Sequence, residues 1–370
     1  MMQTSKLNIV ERWLNYNPID ESGLAVFRIL FSFFCLLSLV GVLRIDTLTI
    51  YPNEFYKPQV SFAYLFDKLP PIYFLYLLDT LSIVSLVGML FGVKTQWSSI
   101  LFGVFFICSV SFIYAFSKIG HQHFMPFTAI IFAFSGWGNK YSIDAVFSNK
   151  NNKKSEINVY PFFTLIIAFS FFTSGFAKLL GAWLDPSFQA VRYYQLRDLF
   201  FVERSNLLTH FTAYDLTLKM FWELMDYFIV AIEILPLFFM FYPKVFRYFM
   251  FGLASFHLGV YLVMNITFGM YPLIYLPFIA DWKHSFLMAK IRGLFNEIRF
   301  EKKLLQIAFL IVLFVAVILH YILNFNDVRG LSLHRGVILV MSYIITLYFF
   351  LEAMFINYAR DKVVELKTEK

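Results

Sequence analysis

Long apolar runs separated by short polar stretches dominate this sequence. A helix that crosses a bilayer needs about 20 consecutive apolar residues. Ten runs approach that length, and they cover residues 24–43, 71–93, 97–117, 124–139, 159–180, 220–242, 246–264, 266–281, 304–325 and 336–357. The fourth and eighth are short enough to be re-entrant or tilted, so the pattern predicts eight to ten spans. Because the runs lack the alternation of a membrane β-barrel strand, we expect an all-α, polytopic helical membrane bundle.

The composition is that of a membrane protein, and together with the absence of known motifs it argues against several other classes of protein. Hydrophobic residues make up 59% of the 370 residues and charged residues 15%, whereas soluble domains carry roughly 25% charged residues. The two cysteines, Cys35 and Cys108, fall inside apolar runs, so a disulfide framework is not expected. Nucleotide-binding, serine-hydrolase and zincin motifs do not occur. The net charge of +7 lies in the loops and predicts topology, not binding of nucleic acid.

The basic loops predict an orientation, because cytoplasmic loops carry an excess of Lys and Arg. With ten spans and a cytoplasmic N-terminus, the inner side receives most of the basic loop residues. We therefore expect a multi-pass protein of a bacterial inner (plasma) membrane, in contact with the lipid bilayer, with both termini cytoplasmic. The predicted segments are a cytoplasmic N-terminal segment 1–19, a membrane domain 20–285, a basic amphipathic interfacial segment 286–303, C-terminal transmembrane helices 304–357 and a cytoplasmic tail 358–370.

Lys178 is the most informative residue, because an ionisable group in a membrane span is costly and is a functional-site candidate. It closes the fifth run after Ser174 and Gly175, and Trp183 follows five residues later. A lysine becomes a general base when desolvation disfavours its charged form, and apolar residues flank this one. Gly175 would allow another helix or a ligand to approach the backbone closely. The alternative is a lysine that extends to the lipid headgroups.

Other ionisable residues are predicted at the same face of the membrane. His121 lies in the turn after the third span, where it could hydrogen-bond a substrate oxygen. We expect no metal there, because His121 and His123 have no third ligand at a recognisable spacing. The sixth span carries Glu223 and Asp226, which could neutralise Lys178 or pair with other basic groups.

Three further residues complete the set of candidates. Glu233 lies seven residues after Asp226, so it falls loosely on the same helix face and could also act as counter-ion or proton relay. His257, midway along the seventh span, is either a hydrogen-bonded core residue or a member of the site. Arg28, inside the first span, needs a partner for the same reason as Lys178.

Several short motifs, taken in their order and spacing, resemble the HTTM family, the membrane domain shared with vitamin K-dependent gamma-carboxylases. The similar stretches are residues 23–29 with Arg28, residues 171–179 with Trp183, His121 followed by residues 141–144, and Phe256-His257 continuing to Phe268. The resemblance covers most of residues 20–285 and implies a quinol-dependent carboxylase-like or epoxidase-like enzyme. The implied cofactor is reduced vitamin K or another quinol, without a metal.

Roles follow from the resemblance for individual residues. Lys178 would be the base that deprotonates the quinol, and His121 would hydrogen-bond the quinol or its intermediate. His257, Gly175 and Trp183 would line the cofactor site. The sequence departs from the carboxylase pattern at Gly120, Ala177 and Leu180, which replace an asparagine, a second lysine and an acidic residue. The chain ends soon after its last predicted span, so we expect a compact member that lacks the large extracytoplasmic domain.

Two main hypotheses remain open from the sequence. The enzyme hypothesis expects Lys178 and His121 to converge on one lipid-accessible pocket. The accessory hypothesis assigns a non-catalytic role in maturing or exporting a secreted peptide or protein, alone or with a co-encoded partner. It expects Lys178 to pair with Glu223 or Asp226 and no pocket to open beside it. A transporter would show inverted repeats or broken helices, which the sequence does not indicate.

Overall fold

The computed structural model describes residues 8–117, 123–147, 157–297, 302–325 and 328–368, and all of the regular structure in these ranges is helical. The α-helices are α1 Ile9–Leu14, α2 Glu21–Leu39, α3 Ile72–Phe91, α4 Thr95–Phe116, α5 Phe124–Phe132, α6 Ile143–Phe147, α7 Tyr160–Leu180, α8 Ala190–Phe201, α9 Leu207–Tyr214, α10 Lys219–Phe239, α11 Pro243–Met264, α12 Tyr271–Ile274, α13 Leu276–Ile279, α14 Phe286–Glu297, α15 Lys302–Ile322 and α16 Val328–Thr368. Short 3-10 helices, Ile45–Ile50, Asn53–Phe55 and Phe62–Leu65, connect α2 to α3.

The all-α, polytopic prediction is confirmed. Among the described helices, seven are long and apolar enough to cross a membrane: α2, α3, α4, α7, α11, α15 and residues 330–360 of α16. Helix α10 is as long as α7, with 21 residues. It carries four Lys, Asp or Glu residues along this length, namely Lys219, Glu223, Asp226 and Glu233. Those charges require partners within the protein if α10 is to lie in a bilayer.

The chain divides into two compact units, which are described separately. One unit comprises residues 19–159 and 282–331, and the other comprises residues 1–18, 160–281 and 332–370. We call them the first unit and the second unit. The first unit contains α2, α3 and α4, and the second contains α7, α10 and α11. Each set of three long helices is followed by an apolar segment whose helix is interrupted.

In the first unit, the interrupted segment is the predicted span 124–139. Its helix α5 ends at Phe132, and the chain continues through turns in which Gly136 has a φ of +77°. The segment nevertheless follows α4 back toward its start. Gly103 in the middle of α4 packs against Ile130, and Gly138 packs against Thr95, the first residue of α4. The segment therefore traverses α4 without being one continuous helix.

In the second unit, the interrupted segment is the predicted span 266–281. It forms only the four-residue helices α12 and α13, each with a proline in its first turn. All residues from 269 to 280 are buried. The segment runs antiparallel to α11, since Phe268 packs on His257 and Phe278 packs on Phe246, near the start of α11. Non-helical backbone is tolerated at membrane depth where protein surrounds it, which explains why so apolar a stretch need not be a regular helix.

Candidate functional site

Lys178 lies in the last turn of α7 and forms an ion pair with Glu233 of α10. Its Nζ is 2.5 Å from Oε2 of Glu233 and donates a second hydrogen bond to Oγ of Ser174 at 2.9 Å. The lysine side chain is 19% exposed and the glutamate side chain 5% exposed. Because little solvent reaches the pair, its charges interact more strongly than a surface pair would. The site is an amine and a carboxylate held together with a hydroxyl beside them.

Gly175 explains why α7 and α10 meet so closely at this pair. A Cβ at Gly175 would lie 2.9 Å from Cβ of Glu233, 2.8 Å from Cγ1 of Ile234 and 3.2 Å from the backbone nitrogen of Ile234. Those distances are shorter than ordinary van der Waals contacts, so only glycine fits. The sequence left open whether a helix or a ligand approaches the backbone at Gly175, and in the structure helix α10 does. Gly175 therefore sets the height at which Glu233 meets Lys178, one turn further along α7.

Trp183 covers the same lysine from the turn that follows α7. Nζ of Lys178 lies 5.3 Å from the centroid of the indole ring, within the range of a cation–π contact. On α8, Tyr194 stacks on Trp183 with ring centroids 5.5 Å apart, and Arg197 lies 4.7 Å over Tyr194. Two cations and two rings thus form a continuous stack that leads away from Lys178.

The turn between Trp183 and α8 is closed by Asp185. The backbone N–H of Ser187 donates to Oδ1 of Asp185 at 2.9 Å, and the hydroxyl of Ser187 donates to the same oxygen at 2.7 Å. The backbone hydrogen bond first, and then the hydroxyl, lower the pKa of Asp185 from its ordinary value. These two hydrogen bonds keep the turn closed behind Trp183.

The other two carboxylates of α10 have different partners. Asp226 accepts hydrogen bonds from the backbone N–H groups of Ala190 and Val191, at 2.9 and 2.8 Å. It thereby caps the N-terminus of α8, whose first N–H groups have no partner within the helix. Glu223 lies 3.7 Å from Lys219 on its own helix. The accessory hypothesis expected Glu223 or Asp226 beside Lys178, but the structure places Glu233 there.

His257 lies in the core of the second unit. Its Nε2 is 2.8 Å from the hydroxyl of Tyr275, and its ring stacks on Phe268 with centroids 4.3 Å apart. Only 3% of the residue is exposed. Phe171 of α7 contacts both members of this pair, with its ring 6.0 Å from His257 and 6.1 Å from Tyr275. His257 is thus a hydrogen-bonded core histidine, and its contact on α7, Phe171, lies about two turns before Lys178.

Arg28 belongs to the first unit and is fully buried in α2. Its guanidinium donates to the backbone oxygens of Trp137 (3.0 Å) and Tyr141 (2.5 Å). Both carbonyls lie in the turns that end the interrupted segment after α5. Nearby, Asp144 accepts hydrogen bonds from the backbone N–H groups of Lys94 and Thr95, at 2.8 and 2.7 Å. These contacts give Arg28 and Asp144 a structural role in fixing the end of that segment.

The remaining predicted residue, His121, lies outside the described residues, as do Gly120 and Gln122. Convergence of His121 with Lys178 is therefore still a prediction. Within the part of the chain that the structure describes, no group of three His, Cys, Asp or Glu side chains could hold a metal ion. Sequence reasoning missed Tyr194 and Tyr275 as partners of Trp183 and His257. The four-residue spacing from Ser174 to Lys178 is a signal that could have revealed their hydrogen bond.

Comparison with known proteins gives one match. The model of the HTTM domain matches residues 16–282. No curated protein and no solved structure matches the chain. The matched range contains Arg28, Lys178, Glu233 and His257, and it ends just after the interrupted segment that packs on α11. Since the match covers more than half of the 370 residues, the protein belongs to the HTTM family, the membrane domain associated with vitamin K-dependent carboxylase-like proteins.

Proposed function

We propose that this protein binds a hydrophobic quinol beside Lys178 and removes a proton from it, as a carboxylase-like or epoxidase-like membrane enzyme. The observation that carries the proposal is the little-exposed Lys178–Glu233 pair at the end of a membrane-length helix. A buried ionisable pair in a span is expensive and is a default functional candidate. The family association points to the same chemistry.

Glu233 gives the pair a way to make Lys178 a base. An ammonium cannot accept a proton, so the proton on Nζ must first leave. Burial penalises both charges of such a pair, so it favours transfer of a proton between the partners over keeping two separate ions. Transfer of the proton across the 2.5 Å contact to Oε2 of Glu233 leaves a neutral amine. That amine then takes the hydroxyl proton of the quinol and becomes an ammonium again.

The surroundings of Lys178 fit a flat, apolar ligand. The indole of Trp183 lies beside the amine, and Phe176, Leu179 and Leu180 are exposed on the same end of α7. Binding sites for such ligands are mostly apolar with a few placed polar groups. Reduced vitamin K or a related quinol would supply, on reaction with oxygen, the strong base that carboxylation chemistry requires. The family pattern adds His121 as a hydrogen-bond donor to that ligand.

A second candidate function is a non-catalytic accessory protein that acts on a secreted peptide or protein. The observation that favours it is that Lys178 already has two partners, Glu233 and Ser174. Together with the close packing at Gly175, this pair would serve simply to hold α7 against α10. In that case Lys178 and Glu233 contribute to stability and not to turnover.

Quinol turnover by the purified protein in nanodiscs distinguishes the two functions. The wild type is compared with Lys178→Ala, Glu233→Gln and His121→Ala under oxygen, with quinone and epoxide products measured. Lys219→Ala is the matched control, because it removes a mostly exposed lysine from α10. The enzyme function predicts epoxide formation that is lost in Lys178→Ala and retained in the control. Turnover no higher in the wild type than in Lys178→Ala, with several quinols and any co-encoded partner supplied, would leave the accessory function.

We further propose that both termini are cytoplasmic, in a bacterial inner membrane. The support is the basic character of the loops predicted to be inside, and an even number of crossings when the two interrupted segments and α10 are included. Labelling of single cysteines in intact cells tests this. One cysteine replaces the exposed Lys57 and another replaces the exposed Lys290. A membrane-impermeant reagent should react with the cysteine at position 57 and not with the one at position 290.

A further inference from the structure

Helix α14 of the first unit lies where two spanning helices begin. It has 12 residues, about half the length that a span requires. Arg292 of α14 donates to Oδ2 of Asp20, the N-cap of α2, at 3.1 Å. Helix α15 starts at Lys302, five residues after α14 ends. Because α2 and α15 both have the length and composition of a membrane span, α14 lies at the level of the headgroups.

One face of α14 is fixed to the first unit. Met288 is fully buried, and Arg292 also donates to the backbone oxygen of Trp282 at 2.7 Å. Phe295 stacks on Tyr141 with ring centroids 4.1 Å apart. Residues 288, 292 and 295 are spaced four and three apart, so they form one stripe along the helix. These contacts determine which way the rest of α14 faces.

The opposite side of α14 includes Phe286, Lys290, Gly293 and Leu294, and we call the face formed by these four residues the outward face. Phe286 is 62% exposed and Leu294 51% exposed, and Lys290 is exposed between them. A Cβ at Gly293 would meet nothing within 4 Å. An amphipathic helix that exposes apolar groups and a lysine at headgroup level is suited to lie in the membrane interface.

The charge around the outward face is positive. Lys302 and Lys303 are exposed in the first turn of α15, and Lys94 is exposed at the start of α4. Two acidic groups of α2 and its N-cap are paired within the unit, since Asp20 pairs with Arg292 and Glu21 lies 3.4 Å from Lys140. Lysines near a membrane surface attract anionic lipids, and each contributes about fivefold in affinity.

We propose that the outward face of α14, with Lys303, is a binding site for anionic phospholipid headgroups of the bilayer. The apolar side chains of Phe286 and Leu294 enter the acyl boundary, and the amines of Lys290 and Lys303 bind the phosphates. This role goes beyond quinol chemistry and does not depend on Lys178. The two amines select an anionic lipid, because the phosphate of a zwitterionic lipid is already neutralised by the cationic group of the same headgroup. The apolar side chains can enter the acyl region of either lipid.

A reporter on the outward face tests the site in the intact protein. Gly293→Cys places a thiol where the structure leaves room, and an environment-sensitive fluorophore is attached to it in a Cys108→Ser background, Cys35 being buried. The protein is placed in phosphatidylcholine nanodiscs with increasing phosphatidylglycerol. We expect saturable changes in emission, with the half-saturating fraction raised at least fivefold by Lys290→Gln plus Lys303→Gln.

The matched control is Lys57→Gln plus Lys68→Gln, which removes two exposed lysines from the connection between α2 and α3, at the other end of α2. The control should leave the half-saturating fraction unchanged, and thermal midpoints should agree among all three proteins. An equal shift in the control would show that only net charge matters and would overturn the site. The proposed site would also be overturned if the labelled protein that keeps all its lysines showed no change in emission with phosphatidylglycerol.

Discussion

Gly175→Ala should destabilise the second unit, because the added methyl group has no room between α7 and α10. It would lie 2.8 Å from Cγ1 of Ile234, 2.9 Å from Cβ of Glu233 and 3.2 Å from the backbone nitrogen of Ile234. Rotation of a side chain cannot relieve contacts with a Cβ and a backbone atom, so α10 itself must move. Overpacking of this kind costs about 1–3 kcal/mol.

Gly259 provides the matched control on α11 of the same unit. A Cβ there would meet nothing within 4 Å. Gly259→Ala therefore reports the gain in helix propensity alone, which is at most about 1 kcal/mol. The same gain acts in Gly175→Ala, so the difference between the two variants isolates the packing cost. We expect Gly175→Ala to be less stable than Gly259→Ala by about 1–3 kcal/mol.

Reversible unfolding in mixed micelles of dodecyl maltoside and SDS, followed by circular dichroism, measures this difference in the free energy of unfolding. The displacement of α10 should also separate Glu233 from Lys178. A double-mutant cycle between Lys178→Met and Glu233→Gln should accordingly give a smaller coupling energy in the Gly175→Ala background than in the wild type. If the two alanine variants are equally stable, the close helix approach at Gly175 is not what positions the pair.

Three further changes separate structural from incidental charges, each measured by the same unfolding assay. Asp226→Asn should cost about 1–2 kcal/mol, because the carboxylate caps two N–H groups of α8, whereas Glu223→Gln should stay within about 0.5 kcal/mol, because its partner Lys219 is largely exposed. Arg28→Met should cost about 2–4 kcal/mol, because the carbonyls of Trp137 and Tyr141 lose a charged donor; a cost below 1 kcal/mol would show that Arg28 does not fix this segment.

The sequence predicted the long membrane helices well, because each of them is apolar along a length that can span a membrane. It singled out the runs 124–139 and 266–281 as short enough to be re-entrant or tilted, but it could not predict the residues at which they stop being helical. In the segment after α5, the turns form around Gly136 and Gly138, and the carbonyls they leave bind Arg28. In residues 269–280, the backbone is shielded by surrounding side chains. Hydropathy shows that a segment avoids water, but it does not show whether lipid or protein surrounds that segment.

The interrupted segments also bear on the transporter hypothesis, which predicts broken helices. Transporters break helices so that half-helix ends and free backbone groups can bind ions or substrates. Residues 269–280 contain no ionisable side chain except Tyr271 and Tyr275, and they are buried throughout. In this segment Phe278 packs on Phe246 of α11, and the hydroxyl of Tyr275 lies 2.8 Å from Nε2 of His257.

The partner of Lys178 shows most clearly what a sequence leaves undecided. Three carboxylates on α10 were equally suitable by type, and Glu223 and Asp226 stood nearer in the sequence. Their assignments depend on the height at which α10 crosses α7, and that height depends on a contact between Gly175 and Ile234. Once Gly175 fixes it, Glu233 meets Lys178, Asp226 reaches the start of α8 and Glu223 remains near the exposed Lys219. A glycine without chemistry of its own thus decides which carboxylate pairs with the lysine.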